Sequence, residues 1–130
     1  MIVLDASVLI AHFDATDSHH DRAGELLLLA VDQDRSLGAS PITLAEVLVG
    51  PARAGRTDQA TAVLDQLRVC PVPLPLDAPL RLATLRAATT LKMPDCCVLL
   101  AASQVADAIA TFDDRLADAA RNHRLAVWGR

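Results

Sequence analysis

The sequence predicts an α/β protein: a single three-layer α/β/α domain around a central, mostly parallel sheet of four to five strands. Short apolar runs of strand length alternate with longer segments of helical periodicity, the order that yields a parallel sheet covered on both faces. A length of 130 residues suits one domain, and 52% hydrophobic against 22% charged residues excludes a disordered chain. No repeat, low-complexity stretch or linker divides it, so residues 1–130 are read as one domain.

Ile2 to Asp5 is a short buried strand, followed by a short helix through about Phe13. Asp14 to Ser18 carries turn and capping residues. The helix from about His19 to Asp34 places Ala23, Leu26, Leu27 and Ala30 on one face. Ser36 to Ala39 is a second strand. Ser40 caps the next helix, Pro41 fits its first turn and Gly50-Pro51 stops it. Gly55-Arg56-Thr57 opens a helix to about Arg68. Val69 to Leu76 then alternates, with Pro71, Pro73 and Pro75 between Val72, Leu74 and Leu76. Prolines two residues apart remove donors from the same side of a strand, so this is a border strand with a blunted free edge. Asp77 and Pro79 start a helix to about Leu91, and Pro94 and Asp95 start one to about Val105. Ala108 to Thr111 is a strand, Asp114 to about His123 a helix, and Leu125 to Trp128 the last strand.

Composition narrows the function classes. Net charge is −4, which argues against binding polyanions through overall charge. Eleven of the twelve cations are arginine, whose forks suit phosphate, although genomic base composition produces the same bias. A nucleic-acid ligand needs a local basic patch, for which Arg53 with Arg56, Arg81 with Arg86, and Lys92 are candidates. Phe13, Phe112 and Trp128 are the only aromatics besides histidine, which speaks against stacking platforms for bases. Three cysteines, Cys70, Cys96 and Cys97, make a poor disulfide framework and read as small buried hydrophobes in a reducing compartment. No signal peptide is recognisable, and no run approaches the roughly 18 apolar residues of a membrane span. A soluble, cytoplasmic protein is expected.

Four acids stand out against this apolar background. Asp5 ends the run Met1-Ile2-Val3-Leu4. Glu46, one of only two glutamates, shares a helix face with Ile42 and Val49, at spacings of four and three. Asp95 follows Met93-Pro94, and Asp113 follows Ala108-Ile109-Ala110-Thr111-Phe112. Each has an ordinary explanation as well: Asp5 and Asp113 as helix caps, Asp95 as a partner of a helix dipole. In a parallel sheet, however, sites form at the carboxyl ends of strands, where Asp5 and Asp113 meet if their strands are neighbours. Carboxylates that converge within about 5 Å need a cation to remain ionised. Oxygen-only ligation selects Mg²⁺ or Mn²⁺ over zinc, and the chemistry implied is metal-assisted attack of water on a phosphodiester.

In this order and at this length, the pattern resembles the PIN domain, and more narrowly the VapC toxins of bacterial toxin–antitoxin pairs. The matching pieces are Ile2-Val3-Leu4-Asp5-Ala6-Ser7, Thr43-Leu44-Ala45-Glu46-Val47, Pro94-Asp95 before an Ala-rich helix, and Ala106-Asp107-Ala108-Ile109-Ala110-Thr111-Phe112-Asp113. The resemblance implies a Mg²⁺- or Mn²⁺-dependent endoribonuclease with Asp5, Glu46, Asp95 and Asp113 as its catalytic, metal-binding cluster. Ser7 and Thr111 match hydroxyl positions near the metal. A small VapB-type antitoxin that blocks the site, and dimerisation of the toxin, are further family expectations. Arg53 and Arg56 are the candidates for substrate phosphates.

Some alternatives stay open. Ser7 also fits a helix cap, and Asp114 competes with its neighbour Asp113. Asp107 reads as a turn residue, His19-His20 as a solvated pair, and His123 as a partner of a helix C-terminus. A phosphatase with an aspartyl nucleophile would have a second aspartate where Ser7 stands, and a receiver domain would have a lysine near its end. The remaining rival is a non-catalytic PIN-like module that binds RNA or protein.

Overall fold

The computed structural model describes residues 1–130. Five strands and seven helices follow one another as β1 (Ile2–Leu4), α1 (Ala6–Phe13), α2 (His20–Asp32), β2 (Leu37–Ala39), α3 (Pro41–Arg53), α4 (Thr57–Gln66), β3 (Val69–Pro71), α5 (Ala78–Ala88), α6 (Met93–Val105), β4 (Ala108–Ala110), α7 (Asp114–Asn122) and β5 (Ala126–Trp128). The strands make one sheet in the order β3-β2-β1-β4-β5, and every pairing is parallel.

Alternation along the strands divides the core between the two faces of the sheet. Ile2 and Leu4 of β1 pack with Ala108 and Ala110 of β4 against α1, α2 and Val47 of α3. Val3 and Ile109, between them, face α6 and α7 through Val98, Leu99, Ala102, Leu116 and Ala120. Leucine, valine and alanine fill both layers. Of the cysteines, Cys96 and Cys97 are buried as expected, but Cys70 on the border strand is exposed; all three are thiols.

Three readings of the sequence need correction. Gly50-Pro51 does not end α3, which continues to Arg53 with Pro51 inside its last turn. A proline near a helix end forfeits only one hydrogen bond. The chain turns instead at Gly55, whose φ of +68° is the left-handed conformation of a residue after a helix C-cap. The border strand is also shorter than its alternating pattern, since β3 ends at Pro71. Its edge position is as expected: the Val72 N–H donates to Ala39 of β2 at 2.8 Å, so the donor missing from Pro71 is on the free side. Pro73 and Pro75 lie beyond the strand.

The third correction concerns His19 and His20, which are half-buried rather than solvated. A ring nitrogen of His20 is 2.8 Å from the Ala11 carbonyl and links α2 to α1. At the end of α7, His123 contacts the Ala119 carbonyl at 2.8 Å, in keeping with a C-terminal partner. Asp107 precedes β4 and pairs with Arg35 and, at 3.5 Å, with the amino terminus. No helix is long and apolar enough to cross a membrane.

Candidate active site

Because β1 and β4 are neighbours in register, Leu4 opposite Ala110, the residues that follow them leave the sheet together. The Asp5 N–H still donates to the Ala110 carbonyl at 2.9 Å, which sets the Asp5 side chain beside Thr111. Thr111, with no exposed surface, donates its hydroxyl to Asp5 Oδ2 at 2.9 Å. Ser7 donates to the same oxygen at 2.6 Å. Two hydroxyls on one oxygen fix the carboxylate and leave Oδ1 without a hydrogen bond from the protein. Asp5 stands at the N-cap of α1 yet its side chain makes no capping bond, so capping does not explain it. Nor does Ser7 cap: its oxygen accepts the Phe112 N–H at 3.1 Å and ties the loop after β4 to α1.

Asp113 and Asp95 keep their structural roles as well. Asp113 caps α7 through the Leu116 N–H, at 2.9 Å to Oδ1, and its own N–H donates to Thr111 Oγ1 at 3.0 Å. Asp95 accepts the Lys92 N–H on Oδ2 at 3.3 Å, at the start of α6. Each therefore retains a second oxygen. The neighbouring Asp114 is paired with Arg130 at 3.3 Å, which sets it apart from Asp113.

Glu46 is placed differently from its sequence reading. The core-facing positions of α3 are Thr43 and Val47. Ile42 and Val49, which share the Glu46 face, are 41% and 44% exposed. That face borders a cavity of about 600 Å³, with Glu46 on its wall beside Ile10, Phe13, Val47 and Val63. Of the four acids only Asp5 is buried; Asp95 is half-buried, and Glu46 and Asp113 are exposed.

The four nonetheless share one electrostatic environment. Partial desolvation at the cavity wall raises the Glu46 carboxyl above its usual range, and the charges of Asp5 and Asp95 raise it further. Asp95 is raised first by burial and then by Asp5; the hydrogen bond from the Lys92 N–H lowers it in part, and Asp113 and the Lys92 ammonium add smaller, opposite effects. None of the four forms an ion pair, although Asp77, Asp107, Asp114 and Asp118 elsewhere all do. No three His, Cys, Asp or Glu side chains are gathered into a finished ligand cage. An all-oxygen set with spare lone pairs is the donor chemistry that fits a hard divalent cation.

Arg56 lines the cavity that holds Glu46, whereas Arg53, exposed at the end of α3, does not. Two further neighbours escaped the sequence reading. The His19 ring stacks on Phe112, and Arg130 Nε donates to the Phe112 carbonyl at 2.7 Å. Both come from segments distant in sequence, and no spacing rule could have found them.

A family model of the PIN domain matches residues 2–122. FitAcB from Neisseria gonorrhoeae is similar in structure, with a TM-score of 0.68 and 23% identity over 98% of this chain and 96% of that one. VapBC2 from Rickettsia felis, bound to a DNA fragment from its promoter, gives a TM-score of 0.65 and 16% identity over 98% of each chain. Likenesses at this identity carry the fold. Curated proteins provide no match.

Proposed function

The chain belongs to the PIN-domain family, and from that premise we propose that it is a Mg²⁺- or Mn²⁺-dependent endoribonuclease, the toxin of a VapBC-type pair. The observation that carries the reading is a buried Asp5 held by two hydroxyls, whose charge raises Glu46 and Asp95, with none of the four acids in an ion pair. PIN domains are nucleases as a family, and in this reading the four acids carry that chemistry.

In this reading Asp5, Glu46, Asp95 and Asp113 hold the divalent ion, which supplies an activated water and neutralises charge on the phosphate. Ser7 and Thr111 fix the Asp5 rotamer so that its other oxygen faces the rim. With Glu46 and Asp95 raised, these two carboxyls hold protons more readily than free acids, and a bound cation would favour their ionised form. Arg56, which lines the same cavity as Glu46, meets a substrate phosphate, with Arg53 nearby at the end of α3.

The partner is a small VapB-type antitoxin. The apolar lining beside Glu46 suits an amphipathic segment that would cover the acids and exclude RNA. Residues 1–130 act as one PIN-like domain, self-associated as a homodimer in the cytoplasm; the unpaired thiols accord with a reducing compartment.

The test is cleavage of total RNA by the purified, partner-free chain in Mg²⁺, Mn²⁺ or EDTA, beside the Asp5→Asn/Asp95→Asn double variant. Discrete cuts that vanish in EDTA and in the variant are expected. Folded protein that cuts nothing in either metal would favour a non-catalytic binding module.

A further inference from the structure

An aromatic arrangement beside the acids takes no part in the cleavage chemistry described above. His19, just before α2, lies flat against Phe112, with ring centroids 4.6 Å apart and planes 11° from parallel. One turn on, the Arg22 guanidinium carbon stands 5.7 Å from the centre of the same ring. Phe112 is only 6% exposed and so offers no free face of its own. The His19 side chain keeps 34% of its surface exposed while stacked on Phe112. The ring is also held: the His19 N–H donates to Asp17 at 2.8 Å, and Nδ1 lies 3.8 Å from the same carboxylate oxygen.

This stack is anchored to the acid cluster. Phe112 stands between Thr111 and Asp113, its N–H donates to Ser7 Oγ at 3.1 Å, and Ser7 donates to Asp5. An aromatic face held at a fixed angle, with an arginine one helical turn away, is what an unpaired base and its phosphate bind to. A base inside a duplex has no free face to give.

The geometry points to a subsite for single-stranded RNA at this rim: an unpaired base stacks on the outer face of His19, and an adjoining phosphate pairs with Arg22. This inference rests on the ribonuclease reading and assigns to it two residues, His19 and Arg22, that hold the substrate beside the acids.

Steady-state cleavage of a short single-stranded RNA by the full chain in Mn²⁺ tests it, with His19→Ala, His19→Phe and Arg22→Gln compared at matched melting temperatures. His19→Ala should raise KM roughly ten-fold, as loss of one stacked base does, with kcat little changed. His19→Phe should restore KM, and Arg22→Gln should raise KM and flatten its salt dependence. If His19→Ala does not fold, His19→Leu against His19→Phe makes the same comparison. Unchanged KM in the alanine or leucine variant, or a loss confined to kcat, would leave His19 a packing residue and overturn the subsite. A wild-type chain that cleaves no RNA overturns the ribonuclease reading, and the subsite falls with it.

Discussion

Thr111, with no exposed surface, donates its hydroxyl to Asp5 and accepts the Asp113 N–H. Thr111→Val keeps the shape of the side chain but leaves that N–H with no acceptor, which costs about 1–3 kcal/mol. It also frees the Asp5 rotamer, and loss of an outer partner of a metal ligand typically lowers activity about 10–100-fold. Thr111→Ser should retain both bonds and most of both properties. Denaturant unfolding and initial rates measure the two effects, and a valine variant with wild-type activity would remove Thr111 from the site. Glu46 and Asp95 make a second prediction at this scale. Both carboxyls are raised in the folded state, so their contribution to stability is fully present below the unfolded values near 4.5 and 3.8 and is lost as pH rises through the folded values. At pH 7 without metal each therefore destabilises the fold. Glu46→Gln and Asp95→Asn should raise Tm in EDTA at pH 7, and the gain should disappear near pH 4. A lower Tm at pH 7 in either variant would contradict the shared repulsion.

At the scale of elements, the end of α3 carries the clearest test. Gly55 has a φ of +68°, and nothing lies within 4 Å of the place its Cβ would take, so Gly55→Ala is strained by backbone conformation alone. It should cost about 1 kcal/mol. Pro51→Ala restores one donor inside the last turn and should be neutral or slightly stabilising; urea midpoints of the two variants check this. A costly Pro51→Ala beside a harmless Gly55→Ala would put the helix stop back at Gly50-Pro51. Most elements were legible because period two and period 3.6 differ sharply in a chain of short, strongly patterned segments. The Glu46 face was not. An apolar stripe that packs on the core and one that borders an open cavity have the same spacing, and only the neighbouring α4 decides between them. Pro73 and Pro75 misled for a related reason: alternation persists in an extended chain after its strand partner has ended. His19 and His20 were read as solvated because Phe112 and Ala11, the groups they meet, approach from other segments.

Over the whole molecule, topology rather than charge makes the site. A net charge of −4 gives no general attraction for RNA. The strand order places β1 and β4 side by side, however, and α3 and α6 carry Glu46 and Asp95, both of which feel the charge of Asp5. The neighbouring strand ends that carry Asp5 and Asp113 were legible in the sequence as acids closing apolar runs. How far each would be withdrawn from water was not, since burial depends on which helix covers which edge. The account stands on these acids forming one site for a divalent ion, and calorimetric titration of Mn²⁺ into the metal-free, partner-free chain at pH 7 tests that most directly. The wild-type chain should bind Mn²⁺, and the Asp5→Asn/Asp95→Asn variant, folded to the same extent, should not. Equal binding by both proteins, or none by the wild type, would contradict it.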